Sequence, residues 1–80
     1  MYLYKLEQTE NDGYDTYSSA IVAAESKKRA KQIRPDRMDW DYEDKFPTWA
    51  FTPKGVKVTL IGKAVEGTQE GVVLASFHAG

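Results

Sequence analysis

Ser18-Ser19-Ala20-Ile21-Val22-Ala23-Ala24-Glu25-Ser26-Lys27-Lys28-Arg29-Ala30-Lys31-Gln32-Ile33-Arg34-Pro35 is the stretch whose reading decides the fold. Its first half is small and β-branched and predicts a strand over 17–24. Ser26 then stands where a helix needs an N-cap, since its hydroxyl oxygen can accept from the free N–H groups of a first turn. A short helix follows from Lys27 to Ile33 with Ala30 and Ile33 on its buried side. Pro35 disfavours a helical Arg34 and ends the element. So short a helix is held by tertiary packing, not by propensity. Its first turn is adverse: Lys27, Lys28 and Arg29 place positive charge at the positive end of the helix dipole. A capping box would also want Glu or Gln where Arg29 stands.

Working outward toward the N-terminus, Tyr2, Tyr4 and Leu6 share one face and Lys5 and Glu7, with Leu3, the other. This alternation predicts a first strand over 2–8, antiparallel to the next. Asn11-Asp12-Gly13 between them supplies residues that accept the positive φ of a turn, and Tyr14-Asp15-Thr16 leaves open a turn longer than two residues. Toward the C-terminus, residues 34–55 show no clean period and are punctuated by Pro47 and Pro53. Their aromatics are expected to hold them down, Trp49 and Phe51 as core plugs, with room for a helical turn around 39–45 capped by Asp39. Residues 55–63 give the clearest strand, with Val56, Val58 and Leu60 toward the core and Lys57, Thr59 and Lys63 outward. A turn over 66–71 leads to Val72–Phe77, whose nearly unbroken apolar run predicts a strand that is central or covered on both faces. The order ββ-α-loop-ββ implies a single α+β domain over 1–80. It is a four-stranded, mainly antiparallel sheet with one short helix packed on one face.

Composition narrows the functional classes. The chain has 80 residues, 41% hydrophobic and 29% charged, with a formal net charge of −1. That describes a small globular domain without a global field for DNA or anionic lipid. There is no cysteine, which removes disulfides, thiolate metal sites and thiol catalysis. The opening MYLYKLEQTE reads as neither a signal peptide nor a membrane span. No cofactor is implied, because the glycines are scattered turn or bulge residues and form no phosphate cradle. His78 lacks companion ligands and reads as an exposed terminal side chain, so no metal site is implied.

The unusual allocation lies in residues 27–51. A basic run (Lys27, Lys28, Arg29, Lys31, Arg34, Arg37) is followed by an acidic one (Asp36, Asp39, Asp41, Glu43, Asp44), with Trp40, Tyr42, Phe46, Trp49 and Phe51 threaded through and past it. The bland reading gives a solvated helix face and a solvated acidic loop. The functional reading makes Lys27, Lys28, Arg29, Lys31 and Arg34, together with Asp39, Trp40, Asp41, Tyr42, Glu43 and Asp44, a contact surface for another macromolecule, since Trp, Tyr and Arg dominate interface energies. The carboxylates lack the Asp-x-Asp-x-Asp-Gly loop of a calcium hand and an enclosing cleft for paired catalytic acids. No catalytic residues are assigned.

Tyr2-Leu3-Tyr4-Lys5-Leu6, Tyr14-Asp15-Thr16-Tyr17 and Ile21-Val22-Ala23-Ala24-Glu25-Ser26 resemble segments of small bacteriophage and prophage proteins, as do Ala30, Ile33, Val56–Gly62 and Gly71–Phe77. The likeness covers most of the chain but rests on strand residues. Such proteins usually carry acidic residues after the capping serine, where this chain has Lys27-Lys28-Arg29. Phage proteins of this size include anti-CRISPR inhibitors of host defence. The resemblance therefore implies a non-catalytic inhibitor in the bacterial host cytoplasm, binding a host protein or ribonucleoprotein complex and blocking its nucleic-acid site. Two alternatives stand beside it: direct nucleic-acid binding through Lys27, Lys28, Arg29, Lys31 and Arg34, and a small hydrolase using the carboxylates. No membrane partner is implied, and the sheet edges leave pairing with a second copy open.

Overall fold

The computed structural model describes residues 1–41 and 46–78, without the side chain of His78. Four strands and one helix occur among them: β1 (Tyr2–Glu7), β2 (Thr16–Ala24), α1 (Lys27–Gln32), β3 (Lys57–Lys63) and β4 (Gly71–His78), with a 3-10 turn at Pro53–Gly55. β1 and β2 pair antiparallel in continuous register, from Tyr2 opposite Ala24 to Glu7 opposite Ser19. β3 joins the free side of β1, and β4 the free side of β2, both antiparallel, so the order is β3-β1-β2-β4. The expected α+β architecture is present, with the hairpin β1–β2 at its centre.

The last strand corrects an expectation. β4 is an outer edge, not a central or doubly covered strand, and Val73, Leu74 and Phe77 are 57%, 67% and 47% exposed. β3 and β4 do not form a second hairpin, because β1 and β2 lie between them. The connection over 64–70 instead carries the chain across the end of the sheet. It is fastened by Ala64 N–H donating to the Met1 carbonyl, and it turns at Gly67 with φ of +90°. An apolar run signals a strand but does not say how many neighbours cover it.

The hydrophobic core lies on one face, where Tyr4, Leu6, Ala20, Val22, Val56 and Val58 meet Ala30 of α1 and Trp49 and Ala50 of the long loop. Ser26 caps α1 as expected, its Oγ accepting from Arg29 N–H at 3.2 Å. Leu60 departs from expectation at 58% exposure. The register slips opposite Leu3/Tyr4, and the core cover on this edge strand ends at Val58. Phe51 is likewise exposed at 59%, whereas Trp49 is fully buried.

Of the two readings of the Asn11-Asp12-Gly13 turn, the longer one is present. The segment belongs to a loop in which Asp15, not these residues, takes the positive φ of 59°. Gln8 braces that loop, its amide donating to the Asn11 and Tyr17 carbonyls at 2.7 and 2.8 Å. Asn11 then reaches across to donate to the Pro47 and Trp49 carbonyls at 2.6 and 3.1 Å. The first hairpin thus clasps the backbone on either side of the buried tryptophan. Trp49→Ala should cost about 3–5 kcal/mol, a large part of the roughly 4–12 kcal/mol available to a chain of this size. Phe51→Ala should stay within about 0.5 kcal/mol of wild type. Urea unfolding distinguishes them, and equal shifts would contradict the assignment of Trp49 as the core plug.

Candidate interaction surface

The basic run, which looks uniform in sequence, divides into three roles in the fold. Arg34 turns inward and its side chain is only 5% exposed. Its guanidinium grips Asp36 with two hydrogen bonds, Nε to Oδ1 at 3.0 Å and Nη2 to Oδ2 at 2.6 Å. Nη1 donates to the Asp39 carbonyl at 3.3 Å, and the guanidinium carbon lies 5.0 Å from the Trp40 ring centroid. Asp36 also accepts from Met38 N–H at 3.0 Å and from Thr48 Oγ1 at 2.8 Å. Thr48 in turn gives its carbonyl to Tyr17 N–H at 2.7 Å, which ties this polar knot to β2.

Arg29 has the second role. Its Nε and Nη2 donate to the two oxygens of Glu70 at 2.7 and 2.6 Å, joining α1 to the entry of β4. An acid at this position of the helix would complete a capping box; the arginine serves a partner 41 residues away instead. The hydrogen bond to Arg29 holds the Glu70 carboxyl below its ordinary value, and the same bond raises Arg29. Lys27 and Lys28 are exposed and Lys31 is half-buried, all on the outer side of α1. These three form what is left of the basic face.

Beyond Arg34 the chain turns through Arg37, an exposed residue with φ of +62° whose N–H donates to the Arg34 carbonyl at 3.0 Å. This left-handed conformation is costly for a residue with a side chain and persists where surrounding contacts impose it. Asp39 and Asp41 are exposed beside it, while Trp40 is half-buried against the core. Tyr42, Glu43 and Asp44, and most of the helical turn expected over 39–45, lie outside the described residues; Trp40 and Asp41 form a simple turn. The side chain of His78 also lies outside the described residues.

A cleft of about 460 Å³ opens between the end of α1, this turn and the start of β4. Its lining mixes the apolar side chains of Ile33, Met38 and Val72 with the charged ones of Arg37, Asp39 and Glu70. A smaller recess of about 330 Å³ adjoins it beside Arg29. Of the residues expected in a contact surface, Arg29, Arg34 and Asp39 border this region. Gln32, Met38 and Glu70 were not anticipated, and Glu70 could not have been, since only the fold brings it to Arg29. Among the described residues no cluster of three or more His, Asp or Glu side chains could hold a metal ion. None of their helices is long and apolar enough to cross a membrane. The indole N–H groups of Trp40 and Trp49 are buried without a hydrogen-bond partner among the described residues.

Comparison with protein-family models, with curated proteins and with solved structures finds no match to this chain.

The Asp36 carboxyl gives a pH signature. Burial alone would push it up, but hydrogen bonds from Arg34, Met38 N–H and Thr48, with the charge of Arg34, outweigh burial and hold it below its ordinary value. A carboxyl depressed in the folded state stabilises fully above its unfolded value, near about 4, and that contribution is lost as the pH falls through the folded value. Wild-type Tm should therefore fall steeply with acid below about pH 4. Asp36→Asn should lower Tm at neutral pH, because it leaves a buried guanidinium without its counter-charge, and should flatten the acid limb. An unchanged acid limb in Asp36→Asn, followed by thermal unfolding from pH 2 to 7, would show that the pair does not report on folding.

Proposed function

We propose that this chain is a non-catalytic binding protein that presents the cleft beside α1, with Arg37 in its lining, together with the exposed lysines of α1, to a partner macromolecule. The observation that supports this most is Arg37 held at positive φ on the rim of the cleft by the buried Arg34–Asp36 knot beneath it. A loop stabilised in one conformation loses little further entropy on docking, and backbone strain is retained where a function uses it. A lining of mixed charge beside a few apolar side chains suits a protein surface bearing both signs of charge. By the resemblance to phage proteins, the partner is a host-defence complex in the bacterial cytoplasm, and the effect is inhibition by covering its nucleic-acid site.

Direct binding of nucleic acid is the lesser reading. Of the five cations it would use, Arg34 is buried and Arg29 is paired with Glu70. The three remaining lysines neutralise few phosphates, so affinity would be weak and steeply salt-dependent.

The test is expression in a bacterium whose CRISPR immunity targets a plaquing phage. Wild type should restore plaquing. Arg37→Glu combined with Lys28→Glu should reduce that restoration at least tenfold while leaving Tm within a few degrees. Restoration by wild type and variant alike would contradict the assigned surface, and no restoration against any of the defence types tried would contradict inhibition of CRISPR immunity. Oligonucleotide binding that weakens sharply with salt, without restored plaquing, would favour the nucleic-acid reading.

A further inference from the structure

The two outer strands present their free edges differently. β3 begins and ends with exposed lysines, Lys57 and Lys63. Paired antiparallel with a copy of itself about Leu60, β3 would set Lys57 opposite Lys63 of the second copy at both ends, and like charges directly opposite are destabilising. Lysine on an edge strand is a common guard against such pairing. β4 has no such guard. From Gly71 to Phe77 it carries no charged residue, and Val73, Leu74 and Phe77 stand 57%, 67% and 47% exposed. A register slip between Ile21 and Val22 leaves Val73 as an extra residue. Beyond it, residues 74–78 continue as strand with their outer N–H and C=O groups facing no other strand of the described sheet.

We infer that β4 pairs antiparallel with β4 of a second copy, making a two-fold dimer with one continuous eight-stranded sheet. An uncharged strand meets itself with no charge mismatch, and identical edges related by a two-fold axis close the assembly. Pairing β4 onto β3 of another copy would be heterologous and would grow into a ring or an open filament. Antiparallel pairing within one sheet requires the axis to run normal to it, which keeps both α1 helices on the same face. Gly71 and Val72, at the start of β4, also line the cleft beside α1. The dimer would therefore carry two clefts on one face, flanking the seam. The pairing uses one edge strand from each copy, and stable interfaces start at about 1,200 Å², so the association is of the weak, concentration-dependent kind.

Sedimentation equilibrium across a concentration series tests this. Wild type should approach twice the 9.0 kDa chain mass as concentration rises. Leu74→Lys should stay at the single-chain mass with an unchanged circular dichroism spectrum, because Leu74 is exposed in the lone chain; Leu60→Lys, on the opposite edge, should still dimerise. Hydrogen exchange on wild type gives a second measurement that needs no variant: β4 amides should become protected as concentration rises, and β3 amides should not. A wild type that remains a single chain throughout overturns the inference, even if it captures a foreign extended peptide on β4. So do dimers that Leu60→Lys dissolves, dimers that folded Leu74→Lys retains, or growth into filaments.

Discussion

The ion pair between Arg34 and Asp36 is the constraint on which the irregular half of this molecule depends. The two residues are nearly adjacent in sequence, so the pair closes a small loop rather than bridging distant elements. Its reach comes from what else the carboxylate accepts: Met38 N–H from the local turn and the Thr48 hydroxyl from beyond the acidic run. Thr48 then bonds β2 through Tyr17, and Trp49 follows at once into the core. The described residues on either side of the acidic run, which carry almost no regular secondary structure, are thereby tied to each other and to the sheet. Buried ion pairs are often no more stabilising than an apolar replacement, because desolvating two charges offsets their attraction. Their use here is to specify a conformation. An apolar pair could fill the same space without fixing Met38, Thr48 and the Asp39 carbonyl in one arrangement.

This division of charge changes how the surface is read. In sequence, Lys27 to Arg37 reads as one cationic stripe beside one anionic stripe. In the fold, Arg34 and Asp36 neutralise each other inside, Arg29 and Glu70 tie the helix to the edge strand, and the exposed lysines with Arg37 and Asp39 face solvent. The adverse charge at the start of α1 is partly explained by this. Arg29 stands at the capping-box position because Glu70 meets it there, whereas nothing within the described fold requires Lys27 or Lys28.

The regular elements were legible because each carries a local signal. Alternation in β1, the Ser26 cap and Pro35 needed no knowledge of the fold. The neighbours of each strand were not legible in this way. The apolar sequence of β4 suits a buried strand and an unguarded edge equally well, and only pairing with β2 on one side decides between them. Leu60 failed for a related reason, since alternation gives the face but not how far the core extends along it. Asn11 looked like a turn residue and is instead a clamp on Pro47 and Trp49. The cleft was the least legible feature of all. Its walls come from α1, the turn at Arg37 and the entry of β4, and Glu70 lies too far along the chain for any spacing rule to link it to Arg29.

The central claim is that the Arg34–Asp36 pair organises the long loop, and a double-mutant cycle between Arg34 and Thr48 measures this most directly. Among the described residues these two do not bond each other and share only the Asp36 carboxylate. With Arg34→Met, Thr48→Val and the double variant unfolded in urea, the account predicts a coupling energy of roughly 0.5–3 kcal/mol. Additivity within about 0.3 kcal/mol would mean that the two halves of the loop are held independently, and would contradict it.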